Sequence, residues 1–195
     1  MLRRLGILIA ILGMTLNSAS TADAQAGDAD SSEYLIKAGF IYNFAKFVEW
    51  PSAAFSQVDS PIVIGVIGTD PFGNVLDHIV EDKRIGPRGF IVKRYKWRKE
   101  LKELKDCKIL FVSASEKPHI DEILQSVKGL PILTVGETSG FAERGGVIRF
   151  TLEDNRVRLE VNVDAAHQAD LNISSRLLTL AKIIPQTAAS GRNPG

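Results

Sequence analysis

Cysteine is nearly absent from this sequence, with one residue, Cys107, in 195. A single thiol forms no internal disulfide and rules out Cys₄, mixed Cys/His and C-x-x-C metal or redox sites. At the head of the apolar run CKILFV it reads as a small buried side chain. Histidine is scarce as well, at three residues: His78, His119 and His167. His78 sits beside Asp77, and His119 precedes Asp121 and Glu122. Neither spacing matches H-E-x-x-H or a facial triad, and a solvated helix face accounts for both. Ser113, Ser115, Ser139 and Ser174 lie in no G-x-S-x-G elbow. No catalytic residue, metal site or cofactor is therefore assigned, and the chain is read as a non-enzyme.

Net charge is missing too. The 24 basic and 23 acidic residues nearly cancel, which removes the electrostatic case for nucleic acid or an anionic membrane surface. The one basic stretch with aromatics, KRYKWRKELKELK (93–105), is interrupted by Glu100 and Glu103. It reads as a solvated helix face. A dinucleotide fingerprint is also lacking. GVIGTDPFG places Gly65, Gly68 and Gly73 with the spacing G-x-x-G-x-x-x-x-G rather than G-x-G-x-x-G. Asp70 puts a negative charge where a phosphate would rest, so a strand-to-helix turn capped by Asp70 is the expectation.

Long apolar runs are confined to the start. MLRR, then LGILIAILGMTL, then Ala22-Asp23-Ala24 have the form of a signal peptide with an A-x-A cleavage site. The run is short for a transmembrane helix. Residues 1–24 are therefore expected to be removed on export, leaving Gln25 at the mature end. Residues 25–31 are expected to be a flexible leader, 32–184 one folded domain and 185–195 a disordered tail. A domain of that length buries a core without disulfides or metals.

Within the domain, apolar β-branched runs alternate with helical patterns. Strands are predicted at 62–68, 89–95, 108–114 and 131–136, with helices near 71–82 and 118–127 between them. RKELKEL reads as a short charged helical piece. VIRFTL and RVRLEVNV flank the turn EDN as a hairpin. Residues 172–175 are expected to lead into a last helix reaching Ile184. The fold class is α/β: a single-domain, doubly wound mixed sheet, mostly parallel, with a C-terminal antiparallel hairpin and helices on both faces.

The strongest signal is aromatic. YLIKAGFIYNFAKFVEWP (34–51) holds six aromatics in a chain that is 7% aromatic. A helix capped by Ser31 or Ser32 is predicted to run to about Glu49 and to stop at Trp50-Pro51. At helical spacing Tyr34, Ala38, Ile41, Ala45 and Val48 form one stripe, and Ile36, Phe40, Phe44 and Phe47 a second. Either the second stripe packs inside the domain, against the C-terminal SSRLLTLAKII, or it meets another chain. The candidate partner-binding residues are Phe40, Phe44, Phe47 and Trp50. A separate possibility is a small-molecule sensor, with a ligand beyond the carboxyl ends of the strands near 68–72, 113–116 and 136–139. An exported hydrolase is a third possibility, without a visible nucleophile–base pair.

KAGFIYNFAKFVEWP, IVIGVIGTDPFG, CKILFVSASE, PILTVGE, GFAERGGVIRF and VRLEVNVDAAHQADLNISSRLLTLAKI resemble, in order, the YfiR family (DUF4154). The resemblance implies a periplasmic, non-enzymatic regulator that tends to dimerise. It implies repression of an inner-membrane sensor or diguanylate cyclase through its periplasmic portion, and hence a place in cyclic-di-GMP signalling. It also implies capture by an outer-membrane lipoprotein. The best-known member carries paired cysteines; Cys107 is alone, so disulfide control does not carry over.

Overall fold

The structure, a computed structural model, describes residues 22–98 and 102–185. Residues 1–21, which hold most of the expected signal peptide, residues 99–101 of RKELKEL and the expected tail from 186 lie outside the described residues.

Two clusters of apolar side chains sit on opposite faces of one sheet. The alternation along its strands makes this possible. In β2 (Ile62–Ile67), Ile62, Ile64 and Val66 enter one cluster and Val63 and Ile67 the other. In β4 (Ile109–Val112), Ile109 and Phe111 face the first and Leu110 and Val112 the second. All six residues of β2 and all four of β4 are buried, as central parallel strands require.

The remaining strands are β1 (Val48–Glu49), β3 (Phe90–Tyr95), β5 (Leu133–Gly136), β6 (Ile148–Glu153), β7 (Arg156–Val161), β8 (Asn172–Ile173) and β9 (Ala181–Ile183). The main sheet has the order β3-β2-β4-β5-β6-β7-β9. Its first five strands are parallel, β7 is antiparallel to β6, and β9 is parallel to β7. The order turns back between β2 and β4, which makes that junction the topological switch point. The β6–β7 turn uses Asp154 and Asn155 at φ 50° and 56°. Two left-handed residues give the turn that matches strand twist.

The helices are α1 (Ala22–Phe47), α2 (Val75–Val80), α3 (Ile120–Ser126), α4 (Val163–Gln168) and α5 (Ser175–Leu178). The α/β mixed sheet expected from sequence is thus present, with several local differences. α1 begins at Ala22, well before Ser31, so the backbone of the segment read as a loose leader is helical. Nothing in AQAGDADSS but Gly27 opposes a helix. α1 ends at Phe47 because Val48 and Glu49 pair with Ile173 and Asn172. α2 starts at Val75 rather than residue 71: Asp70 closes a local turn by accepting from the Phe72 amide at 2.8 Å. The last helix is only four residues long, and its expected continuation is β9, drawn into strand geometry by Leu159, Glu160 and Val161 of β7. α4 was not foreseen. Its N-cap, Asn162, is fully buried and accepts from the Ala165 amide at 2.8 Å.

Candidate functional site

α1 positions the aromatic residues. Ala38, Ile41, Ala45 and Val48 are buried in the first cluster, so the first stripe faces the sheet. The second stripe divides. Phe44 is 0% exposed, with its ring stacked on Phe150 of β6 at 5.9 Å. Sequence placed Phe44 on the contact surface; the sheet seals it instead, because β6 reaches under the flank of α1. Phe40 is half-buried against Phe44 and Phe150, at 6.2 and 6.1 Å. Phe47 and Trp50 are likewise half-buried. Trp50 borders an open cleft with Pro51, His167, Asp170 and Asn172. Its indole nitrogen is buried, without a hydrogen-bond partner among the described residues.

On the outward face of α1, Ile36 belongs to the second stripe, whereas Leu35 was not singled out from sequence. Leu35 is 52% and Ile36 47% exposed. One turn on, Gly39 opens onto space, since a Cβ there would meet nothing within 4 Å. Broad apolar periodicity was the available signal, but it does not tell which side faces out.

The three loops expected to frame a ligand crevice do converge. The Thr69 amide donates to Ser115 Oγ at 2.9 Å, and the Ala114 amide to Glu137 Oε1 at 3.4 Å. The crevice is filled by α1. Lys37 reaches Glu137 at 2.6 Å and Glu33 at 2.5 Å with its side chain only 4% exposed. The Tyr34 hydroxyl donates to Glu137 Oε2 at 3.2 Å. The Lys37 ammonium also lies 4.5 Å from the Tyr34 ring centre, a cation–π distance. Two cations serve the carboxylates here: Lys37 binds Glu137, and Arg94 binds Asp70 at 2.6 Å. Arg94 also binds Asp77 and holds that carboxyl below its usual range, chiefly by hydrogen bonding.

The residues weighed earlier for other chemistries are placed as follows. Gly68 turns at φ +96°, and a Cβ there would lie 2.4 Å from Ser115 Oγ, so Ser115 and Glu116 pack directly against this turn. Ser115 Oγ donates to Glu116 Oε1 at 3.3 Å, while His119 meets the other oxygen of Glu116 at 3.0 Å. The acid stands between serine and histidine, whereas a triad needs the histidine in the middle. His119 is further occupied in stacking on Trp97. Among the described residues no group of three His, Cys, Asp or Glu could hold a metal ion. Cys107 is buried, and burial pushes its thiol above the ordinary value, which leaves it a poor nucleophile. No helix among the described residues is long and apolar enough to cross a membrane.

The crevice is thus filled, Glu116 stands between Ser115 and His119, and the outer face of α1 is apolar. Comparison with known families matches residues 34–182 to the YfiR/HmsC-like family, DUF4154. The chain belongs to the YfiR/HmsC-like family. YfiR/HmsC-like proteins are periplasmic regulators, not known as enzymes, that act with membrane signalling proteins. The matched span opens at Tyr34 and closes at Lys182, so it takes in the aromatic part of α1, the whole parallel sheet and most of β9. No individual curated protein matches this YfiR/HmsC-like chain.

Proposed function

We propose that this protein, exported through a cleaved signal peptide ending at Ala24, binds the periplasmic portion of an inner-membrane diguanylate cyclase and holds it inactive. It works as a homodimer, and an outer-membrane lipoprotein that captures it releases the cyclase. Such a switch needs only different affinity for two states of the target.

The observation that carries this reading is the outward face of α1 in a member of a regulator family. Leu35 and Ile36 stand half exposed beside Phe40. Phe47 and Trp50 extend the same helix end toward the cleft at Pro51. A helix of 26 residues is about 39 Å long, enough to contribute a large part of the roughly 800 Å² per partner of a standard interface. The sheet edges offer less. β3 carries exposed Lys93 and Arg94, and β9 is three residues long with exposed Lys182. Charged, short edge strands discourage pairing.

The test pairs the exported protein with the periplasmic domain of the membrane protein encoded beside it. A Leu35→Asp/Ile36→Asp variant should keep its circular dichroism spectrum and melting temperature. It should lose binding by at least about tenfold, and cellular cyclic-di-GMP should rise. Unchanged binding and unchanged cyclic-di-GMP in that folded variant would remove α1 from the interface. Phe44 is unsuited to such a test, because its ring belongs to the core.

A further inference from the structure

Strand pairing in the main sheet is uneven. β2 and β4 share four register pairs, and so do β4 and β5. β5 and β6 share only two, Val135 with Ile148 and Gly136 with Arg149. Leu133 and Thr134, at the amino end of β5, pair with no residue of β6, which begins at Ile148 opposite Val135. One side chain bridges the gap where the ladder stops: the Val147 amide donates to Thr134 Oγ1 at 2.9 Å. Asn162, just after β7, ties that strand's end to the 137–147 segment by donating from Nδ2 to the Ala142 carbonyl at 2.7 Å.

A cleft of about 260 Å³ opens at the parting. Its walls come from both faces of the sheet. Val127 and Ile132 belong to the cluster beneath α3, whereas Val147, Ala165 and Ala169 belong to the cluster beneath α1. One cavity touches both clusters only because the sheet is split there. Ala165, Ala169 and Gly145 leave the space that larger side chains would fill. The volume falls just below the roughly 300–1,000 Å³ of drug-sized ligand pockets, so an occupant is about the size of one ring.

The mouth is polar and cationic. Arg144 donates from Nε to Asp121 at 2.6 Å. That contact fixes the guanidinium plane and leaves its terminal N–H groups without a hydrogen-bond partner among the described residues. Lys128 stands at the rim with no carboxylate within 4.0 Å among the described residues. Against these two cations the mouth carries one carboxylate, Asp121, already engaged by Arg144. A positioned arginine beside a free ammonium selects an anion, and the arginine fork suits a carboxylate.

The geometry points to a binding site for a small amphipathic carboxylate at the β5–β6 split, its aryl or branched aliphatic body on the apolar floor and its carboxylate between Lys128 and Arg144. The site is at the opposite end of the sheet from the crevice that α1 fills, and it stands independently of the repressor reading.

Titration of isotope-labelled full-length protein with phenylacetate tests it, with isovalerate as the aliphatic probe. Acetate, which lacks the body, and phenethylamine, which reverses the charge, serve as controls. Saturable amide shifts are expected at Lys128, Gly129, Gly145 and Ala169 with the two probes, and not with the controls. Lys128→Glu changes an exposed side chain and should keep the fold while weakening phenylacetate at least about tenfold. Ala169→Leu fills the floor and should abolish binding in a protein whose spectrum is otherwise native. No saturable shift at 10-millimolar order of probe, on the scale of the weakest specific affinities, would overturn the site. So would equal binding of phenethylamine, shifts centred on the Trp50 cleft, or phenylacetate binding untouched by Lys128→Glu.

Discussion

At the carboxyl end of the parallel strands, α1 lays Lys37 between Glu33 and Glu137 and closes the crevice between β2, β4 and β5. At the amino end, β5 and β6 separate, and small side chains leave the gap open. Both ends contain a lysine, but Lys37 is sealed between two carboxylates whereas Lys128 is exposed and pairs with none among the described residues. The difference comes from what lies above the sheet. A 26-residue helix covers the first end, while the second is flanked by the ends of α3 and α4, both short. Open α/β sheets place ligands at the carboxyl end by default. A fold that spends that end on its own helix has to find any ligand site elsewhere. One segment, 137–147, runs between the two, with Glu137 at one end and Arg144 and Gly145 at the other.

Lysine substitutions probe this contrast most sharply. Lys37→Ala leaves Glu137 and Glu33 facing each other with little solvent, and should cost about 3–5 kcal/mol. Lys128→Ala, at the exposed rim, should fall within about 0.5 kcal/mol of the parent. Urea unfolding of both variants measures the pair, and equal costs would mean that the carboxyl end is not sealed by an ion cluster. Replacing Lys37 by Met together with Glu137→Gln should recover much of the loss, because no uncompensated charge then remains at Glu137.

A smaller effect is expected in the connecting segment. Phe141 is fully buried, and its ring occupies the place where a side chain at Gly146 would go: an added Cβ would lie 2.1 Å from Phe141 Cε1. Gly146→Ala should therefore destabilise by about 1–3 kcal/mol through overpacking, as read from the thermal midpoint. A neutral result would show that the ring has room to move and that the segment is loosely held.

The smallest effect concerns Arg94 and Asp77 beside the filled crevice. Arg94 depresses the Asp77 carboxyl below its ordinary value near 3.8. A depressed carboxyl contributes stability above that ordinary value and loses it as pH falls through the lower, folded-state one. Asp77 is substantially exposed, so the contribution should stay below about 1 kcal/mol. Arg94→Met should flatten the acid limb of stability measured between pH 5 and 2, a window set by that shift. An unchanged limb would leave the pair without energetic weight.

Much of this could be read from the sequence. IVIGVI and ILFV announce two-sided burial by their unbroken β-branched and apolar character, and both are central strands. The pair Asp154-Asn155 marks a hairpin turn. The end of the chain was misread for a physical reason. LAKII is apolar enough for either a helix or a strand, and the deciding hydrogen bonds come from β7, some 20 residues earlier. Phe44 and Phe40 share a stripe by spacing, yet Phe150 buries the first fully and the second only in part. Nothing in the local spacing singles out Lys37 as a buried ion-pair residue. Its partner Glu137 is 100 residues away, beyond the reach of local pattern.

Local chemistry was enough to set the strands, the hairpin and the aromatic helix, because each depends on residue type at short spacing. Which ring is sealed, which lysine is buried and where the sheet opens were left to tertiary structure. These outcomes depend on how distant strands and helices meet, and no periodicity along the chain encodes the distance between Lys37 and Glu137 or the parting of β5 from β6.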